Sequence, residues 1–155
     1  MSEQATKTKT GPELEIKRVF DAPRELVWAA WTDLEQLARW SGPRGFEITF
    51  NQSDLRPGGA WRMGMRSQQW GEIWQHGVFR EIDRPERLVF TTAWEEPAGT
   101  PEHEMLVTIG FTEVDGKTEM TFHQAAFSSG ESRDSHIDGW TQCFDKLDGY
   151  LEETQ

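Results

Sequence analysis

The sequence predicts an α+β fold: a curved antiparallel sheet of six to seven strands wrapped around one long C-terminal helix, with two short helices after the first strand. Three observations predict it. Ile137, Trp140, Phe144, Leu147 and Leu151 recur at steps of three, four, three and four. That spacing places all five on one face of a helix over 134–153, with Asp138, Asp145, Asp148 and Glu152 on its other faces. Most of the chain between residues 46 and 122 alternates apolar and polar side chains in short runs broken by Gly, Pro and Asp, the period of strands with one buried face. Those runs follow one another through short turns, which suit antiparallel pairing. Burying each large side chain of the helical stripe is worth about 1.5–3 kcal/mol, so stripe and sheet are expected to cover one another.

Taken in order, Leu14, Ile16, Arg18 and Phe20 share one side of a first strand over 14–21. Pro23 opens a helix, where its missing N–H lacks a helical partner in any case, and Val27, Trp31 and Leu34 continue at helical spacing. Thr32-Asp33-Leu34-Glu35 reads as a capping box, with Thr32 starting a second short helix that ends at Trp40 before Ser41-Gly42-Pro43. Phe46, Ile48 and Phe50 form one alternating run, and Trp61, Met63 and Met65 another after the turn Arg56-Pro57-Gly58-Gly59. The run from Trp70 to Ile82 leaves two inward sets open: Trp74, His76 and Val78, or Ile73, Gly77 and Phe79. A bulge at Gly77 would reconcile them. After the turn at Asp83–Arg87, Leu88 to Trp94 is a strand. The loop beginning Glu95-Glu96-Pro97 and running through Glu102 reads equally as a cover for one end of the sheet's inner face or as a solvated loop. Met105, Val107, Ile109 and Phe111 lead into the hairpin turn Asp115-Gly116, and Thr118, Met120 and Phe122 return. Residues 125–133 read as a loop. Gly139, which costs a helix interior about 1 kcal/mol relative to alanine, is expected to be retained for close packing against the sheet.

A chain of 155 residues suffices for one substantial core. Residues 1–12 read as a disordered leader and 13–155 as one domain. The formal net charge is −11, and residues 67–155 carry eighteen acidic against six basic groups. Such a surface repels phosphate backbones, which argues against nucleic acid as a partner. No apolar run approaches the roughly 20 residues that cross a bilayer. The N-terminus lacks the apolar stretch of a secretory signal, so the expected location is cytoplasmic. Cys143 is the only cysteine. No internal disulfide or thiolate cluster can form, and His76, His103, His123 and His136 have no tight metal-ligand spacing. Neither metal nor cofactor is expected. There is no GxSxG nucleophile motif, and no residue is singled out as catalytic.

Ala22-Pro23, Val27-Trp28, Trp31-Thr32-Asp33, Leu37 and Trp40-Ser41-Gly42-Pro43 stand in the first helices. Asp54-Leu55-Arg56-Pro57-Gly58-Gly59 precedes a strand, and Gly77-Val78-Phe79-Arg80-Glu81-Ile82 and Pro85 to Thr91 fill the middle. His136, Gly139-Trp140 and Leu147 stand in the last helix. This ordered set resembles the START-like, or SRPBCC, superfamily, and more narrowly the activator-of-heat-shock-protein-ATPase homologue family. The resemblance covers about residues 14–153. It implies the helix-grip fold, with a cavity between the sheet and the last helix. It does not imply one activity, because the superfamily includes lipid carriers, hormone binders, polyketide aromatase/cyclases and a co-chaperone domain.

The expected function is therefore binding of a small hydrophobic or aromatic ligand in that cavity. By alternation and the helical stripe, its residues are expected to be Trp61, Met63, Met65, Met105, Phe122, Trp140 and Phe144. Trp74, His76 and Trp94 join them if their parity faces inward. Methionines suit such a wall because they adapt their shape to varied ligands. Two alternatives stand beside this one. One is a co-chaperone-like interaction module regulating a chaperone ATPase, whose acidic half would dock on a basic protein partner; the other is an aromatase/cyclase-like enzyme. A protein partner or a homodimer is left open.

Overall fold

The computed structural model describes residues 11–99 and 103–154. The first ten residues of the expected leader lie outside these, whereas the Pro12 carbonyl accepts a 2.9 Å hydrogen bond from the Phe127 amide. In chain order the elements are β1 (Leu14–Phe20), α1 (Arg24–Thr32), α2 (Leu34–Trp40), β2 (Glu47–Ser53), β3 (Ala60–Ser67), β4 (Gly71–Asp83), β5 (Arg87–Trp94), β6 (Met105–Val114), β7 (Lys117–Ala125) and α3 (Gly130–Glu153). The seven strands form one sheet in the order β1-β7-β6-β5-β4-β3-β2, and every neighbouring pair is antiparallel. The predicted fold class is the observed one. Among the described residues no helix is long and apolar enough to cross a membrane.

The local chemistry explains the element ends and corrects three expectations. Asp33, not Thr32, caps α2: its carboxylate accepts from the Glu35 and Gln36 amides at 3.0 and 3.2 Å. An anion next to a helix's free N–H groups also complements the helix dipole. Thr32 stays in α1, and its hydroxyl donates to the Trp28 carbonyl. α3 begins at Gly130, four residues before the predicted start, because the Ser129 hydroxyl accepts from the Ser132 amide at 3.0 Å. The strand read from Trp70 begins at Gly71 instead; Trp70 sits in the preceding turn. The Asp115-Gly116 turn behaves as predicted, with φ of 53° and 80° at its two residues, the left-handed pair that a tight hairpin demands.

The core lies between the inner face of β1, β7 and β6 on one side and α1, α2 and α3 on the other. Phe20, Val107, Ile109, Met120, Phe122, Phe144 and Leu147 are completely buried there. Of the predicted helical stripe, Phe144, Leu147 and Leu151 are buried, but Ile137 is 37% exposed and Cys143 takes its place on the inner face. Arg18, at the inward parity of β1, reaches Asp145 of α3 at 2.8 Å. Gly139 does not press on the sheet. A Cβ there would lie 3.5 Å from Pro43 Cγ, an ordinary contact. Gly139→Ala should therefore raise stability by up to about 1 kcal/mol through helix propensity alone, read as a higher denaturation midpoint.

Strand parity decides which side chains reach the interior. In β3, Met63 and Met65 point inward as predicted. In β2 a register shift between Ile48 and Phe50 turns Phe50 to the outer face, where it is 39% exposed. In β4 the inward set is Ile73, Gln75, Gly77 and Phe79. The bulge lies between Phe79 and Glu81, not at Gly77. Gly77 instead permits a close approach between strands, since a Cβ there would overlap the Thr91 carbonyl. The bare backbone lets the Trp61 indole donate to that same carbonyl at 3.1 Å.

Candidate functional site

A cavity of about 1040 Å³ lies between α3 and the inner face of β3, β4 and β5, with α2 and the loops after α2 and β5 on its rim. Its physical origin is the uneven distance between helix and sheet. α3 rests on β1, α1 and α2. There, ring–ring contacts fill the space: Phe144 lies 5.4 to 6.3 Å, centroid to centroid, from Phe122, Trp140, Trp31 and Trp40. The strands farther along the sheet are not filled in this way and leave the opening.

Of the residues that sequence reasoning proposed, Trp61, Met63, Met65, Trp94, Met105 and Trp140 line the cavity. Phe122 and Phe144 do not. Both are fully buried in the layer beneath Trp140, whose ring lies 4.6 Å from that of Phe122. Trp74 and His76 are on the opposite face of the sheet. Gly64, cross-strand from Trp74, presents no side chain, so the indole lies flat over β3. Phe50 packs on it at 5.4 Å, and the Arg62 guanidinium sits 4.1 Å above its ring. Arg62 also forks onto Glu95 at 2.8 and 2.9 Å, and His76 Nδ1 lies 3.0 Å from the same carboxylate. The hydrogen bond from Arg62 is the main reason that Glu95 ionises below the usual carboxylate range. This is an ion cluster on the outer face of the sheet, and none of its three members lines the cavity.

Sequence reasoning missed several lining residues. Gln124 continues the parity of Met120 and Phe122, and Thr92 that of Leu88 and Phe90, so both were available from alternation. Gln75 shares the parity of Ile73, Gly77 and Phe79 in β4 but was not named with them. Trp70 lines the mouth from a turn and is 64% exposed, the largest exposure of any big apolar side chain described. Of the loop from Glu95 through Glu102, Glu96, Pro97, Ala98 and Gly99 line the cavity, as does His103 just beyond it; residues 100–102 lie outside the described residues.

The wall's polar groups are mostly engaged with one another. Trp140 Nε1 donates to Gln124 Oε1 at 2.8 Å, and Trp94 Nε1 donates to His136 Nε2 at 3.0 Å. His136 therefore keeps its proton on Nδ1, which faces the Ser132 carbonyl at 2.8 Å. Both nitrogens are committed, so this imidazole is not free to act as a base. Burial lowers its pKa below the ordinary 6.5. Between its lowered value and 6.5 the unfolded chain binds more protons than the fold does. Stability is thus fully present above about pH 6.5 and falls as pH drops toward the lowered value. His136→Gln, which cannot titrate, should lose less stability than the parent between pH 7 and 5; parallel pH profiles would contradict this. Cys143, also on the wall, is pushed up to about 12 by burial and remains a thiol at neutral pH. Trp31 Nε1 and His103 Nε2 are buried without a hydrogen-bond partner.

The model of a protein family described as Activator of Hsp90 ATPase homolog 1-like protein matches residues 21–152. Solved structures agree. A Chromobacterium violaceum protein is 25% identical with a TM-score of 0.83, over 90% of this chain and 96% of that one. The AHSA1 protein of Silicibacter pomeroyi is 24% identical with a TM-score of 0.82, over 93% and 100%. An Arthrobacter aurescens protein is 26% identical with a TM-score of 0.79, over 91% and 86%. No curated protein matches the chain.

Proposed function

The chain belongs to the family of Activator of Hsp90 ATPase homolog 1-like proteins, and from that premise and the lining of its cavity we propose that it binds a small hydrophobic or aromatic molecule between α3 and the sheet. The observation that carries this reading is the cavity itself: about 1040 Å³, walled by Trp61, Met63, Met65, Trp94, Met105 and Trp140. Sites for small molecules are concave, mostly apolar and furnished with a few placed polar groups. Flat indole faces suit planar ligands, and the three methionines allow the wall to conform to more than one.

A saturating ligand stabilises the fold by about 2.7 kcal/mol at a hundred times its Kd. Screening aromatic, sterol-like and acyl compounds should find some that raise the melting temperature in proportion to occupancy and alter tryptophan fluorescence. Met65→Arg places a charge in the cavity. It should abolish that response while the far-UV circular dichroism stays unchanged. A screen with no saturable response in the parent protein would sink the ligand reading. Retention of a chaperone on the immobilised protein would then favour the activity that the family's description carries.

A further inference from the structure

One inward residue from each of five successive strands forms a polar belt across the cavity floor. Gln124 of β7 donates from Nε2 to the Met105 sulfur of β6 at 3.5 Å. Met105 stands opposite Thr92 of β5 in register. The Thr92 hydroxyl donates to Gln75 Oε1 of β4 at 3.5 Å, and Gln75 Nε2 donates to the Met63 sulfur of β3 at 3.8 Å. All five line the cavity. The indole of Trp140 settles which way Gln124 points. An indole N–H is a donor only, so the amide oxygen must face it and the NH₂ must face the belt. Gln124 is 1% exposed, and the partner of its NH₂ is a thioether, a weak acceptor. A buried amide with such a partner has more to gain from an oxygen.

Charge narrows the ligand further. Among the described residues no lysine or arginine lines the cavity, whereas Glu96 does. An anionic ligand would lose its hydration and gain no opposite charge.

We propose that the cavity selects an uncharged planar molecule bearing a carbonyl or comparable acceptor oxygen, which seats on this belt and takes an amide hydrogen of Gln124 from the Met105 sulfur; the Gln75 amide, three strands away and turned toward Met63, is out of reach of the same oxygen. The inference rests on the ligand reading above and adds the class of molecule and the residue that sets specificity.

Three isosteric probes test it by calorimetric titration: 2-acetylnaphthalene, 2-isopropenylnaphthalene and 2-naphthoate. On hydrophobicity alone the alkene binds tightest. The belt reverses that order: the ketone should bind about three- to tenfold more tightly than the alkene, and the carboxylate weakest. Gln124→Met keeps side-chain volume but removes the amide and should return the ketone and alkene to equal affinity, whereas Gln75→Met should leave the ketone preference in place. Should Gln124→Met fail to fold, the side-chain amide resonance of Gln124 in the nitrogen-15-labelled parent carries the test: the ketone should move it at saturation and the alkene should not, and equal shifts with both overturn the proposal. Equal binding of ketone and alkene by the parent, strongest binding of the carboxylate, or a ketone preference that survives Gln124→Met overturns the proposal while leaving ligand binding intact. No saturable heat from any of the three overturns ligand binding itself.

Discussion

Replacing Gly77 with alanine is expected to destabilise the protein by about 3 kcal/mol, the upper range for forcing extra volume into a packed interior. The added Cβ would overlap the Thr91 carbonyl and lie 2.6 Å from Trp61 Nε1. Neither neighbour can give way cheaply. Thr91 belongs to the middle of β5, its hydroxyl accepts from the Val78 amide at 2.9 Å, and its carbonyl accepts from Trp61. One methyl group thus strains the β4–β5 ladder and displaces an indole from the cavity wall. Chemical denaturation reads the loss directly. A change below about 1 kcal/mol would mean that the two strands can separate there, and the close approach would not be a constraint.

Phe144→Ala should cost about 3–5 kcal/mol, the range for emptying a large aromatic site in a core. Phe144 is fully buried and touches the rings of Trp31, Trp40, Phe122 and Trp140 at once. Domains are stable by only about 5–15 kcal/mol in total, so the variant should be marginal at room temperature. The contrast with Met65→Ala is informative. Met65 borders space that already exists, so its truncation should create less new void and lie near the lower end of about 2–5 kcal/mol. Equal losses at the two positions would contradict the division between a filled layer and an open one.

That division was not legible in the sequence. Alternation in β3, β6 and β7 correctly turned Met63, Met65, Met105 and Phe122 inward, because one face of each of these strands is buried. Alternation gives direction and not depth. Phe122 and Met105 share the inner face, yet only Met105 meets the cavity, because the depth depends on how far α3 stands from each strand. The parity of β4 was illegible for another reason. Its outer face is also apolar locally, since Gly64 makes room for Trp74 and Phe50 and Arg62 cover it. Phe50 itself reached that face through a bulge at a position with no glycine or proline to mark it. The start of α3 was hidden because its first turn, Gly130-Glu131-Ser132-Arg133, has no apolar side chain, and only the Ser129 cap announces it. Gln124 and Thr92 were available from parity. Reading polar residues at inward positions as seriously as apolar ones would have found the belt.

The five methionines offer the most direct test of a ligand between α3 and the sheet. Met63, Met65 and Met105 line the cavity, Met120 is fully buried in the adjoining core, and Met1 lies outside the described residues. Titrating protein labelled with carbon-13 at the methionine methyl groups with 2-acetylnaphthalene should move the Met63, Met65 and Met105 resonances together. An aromatic ring seated among them shifts nearby methyl groups through its ring current, while Met1 should stay in place and Met120 should move less than the three cavity methyls. Shifts confined to Met1, or saturable binding that leaves the three cavity methyls unmoved, would contradict the assignment of this cavity as the binding site.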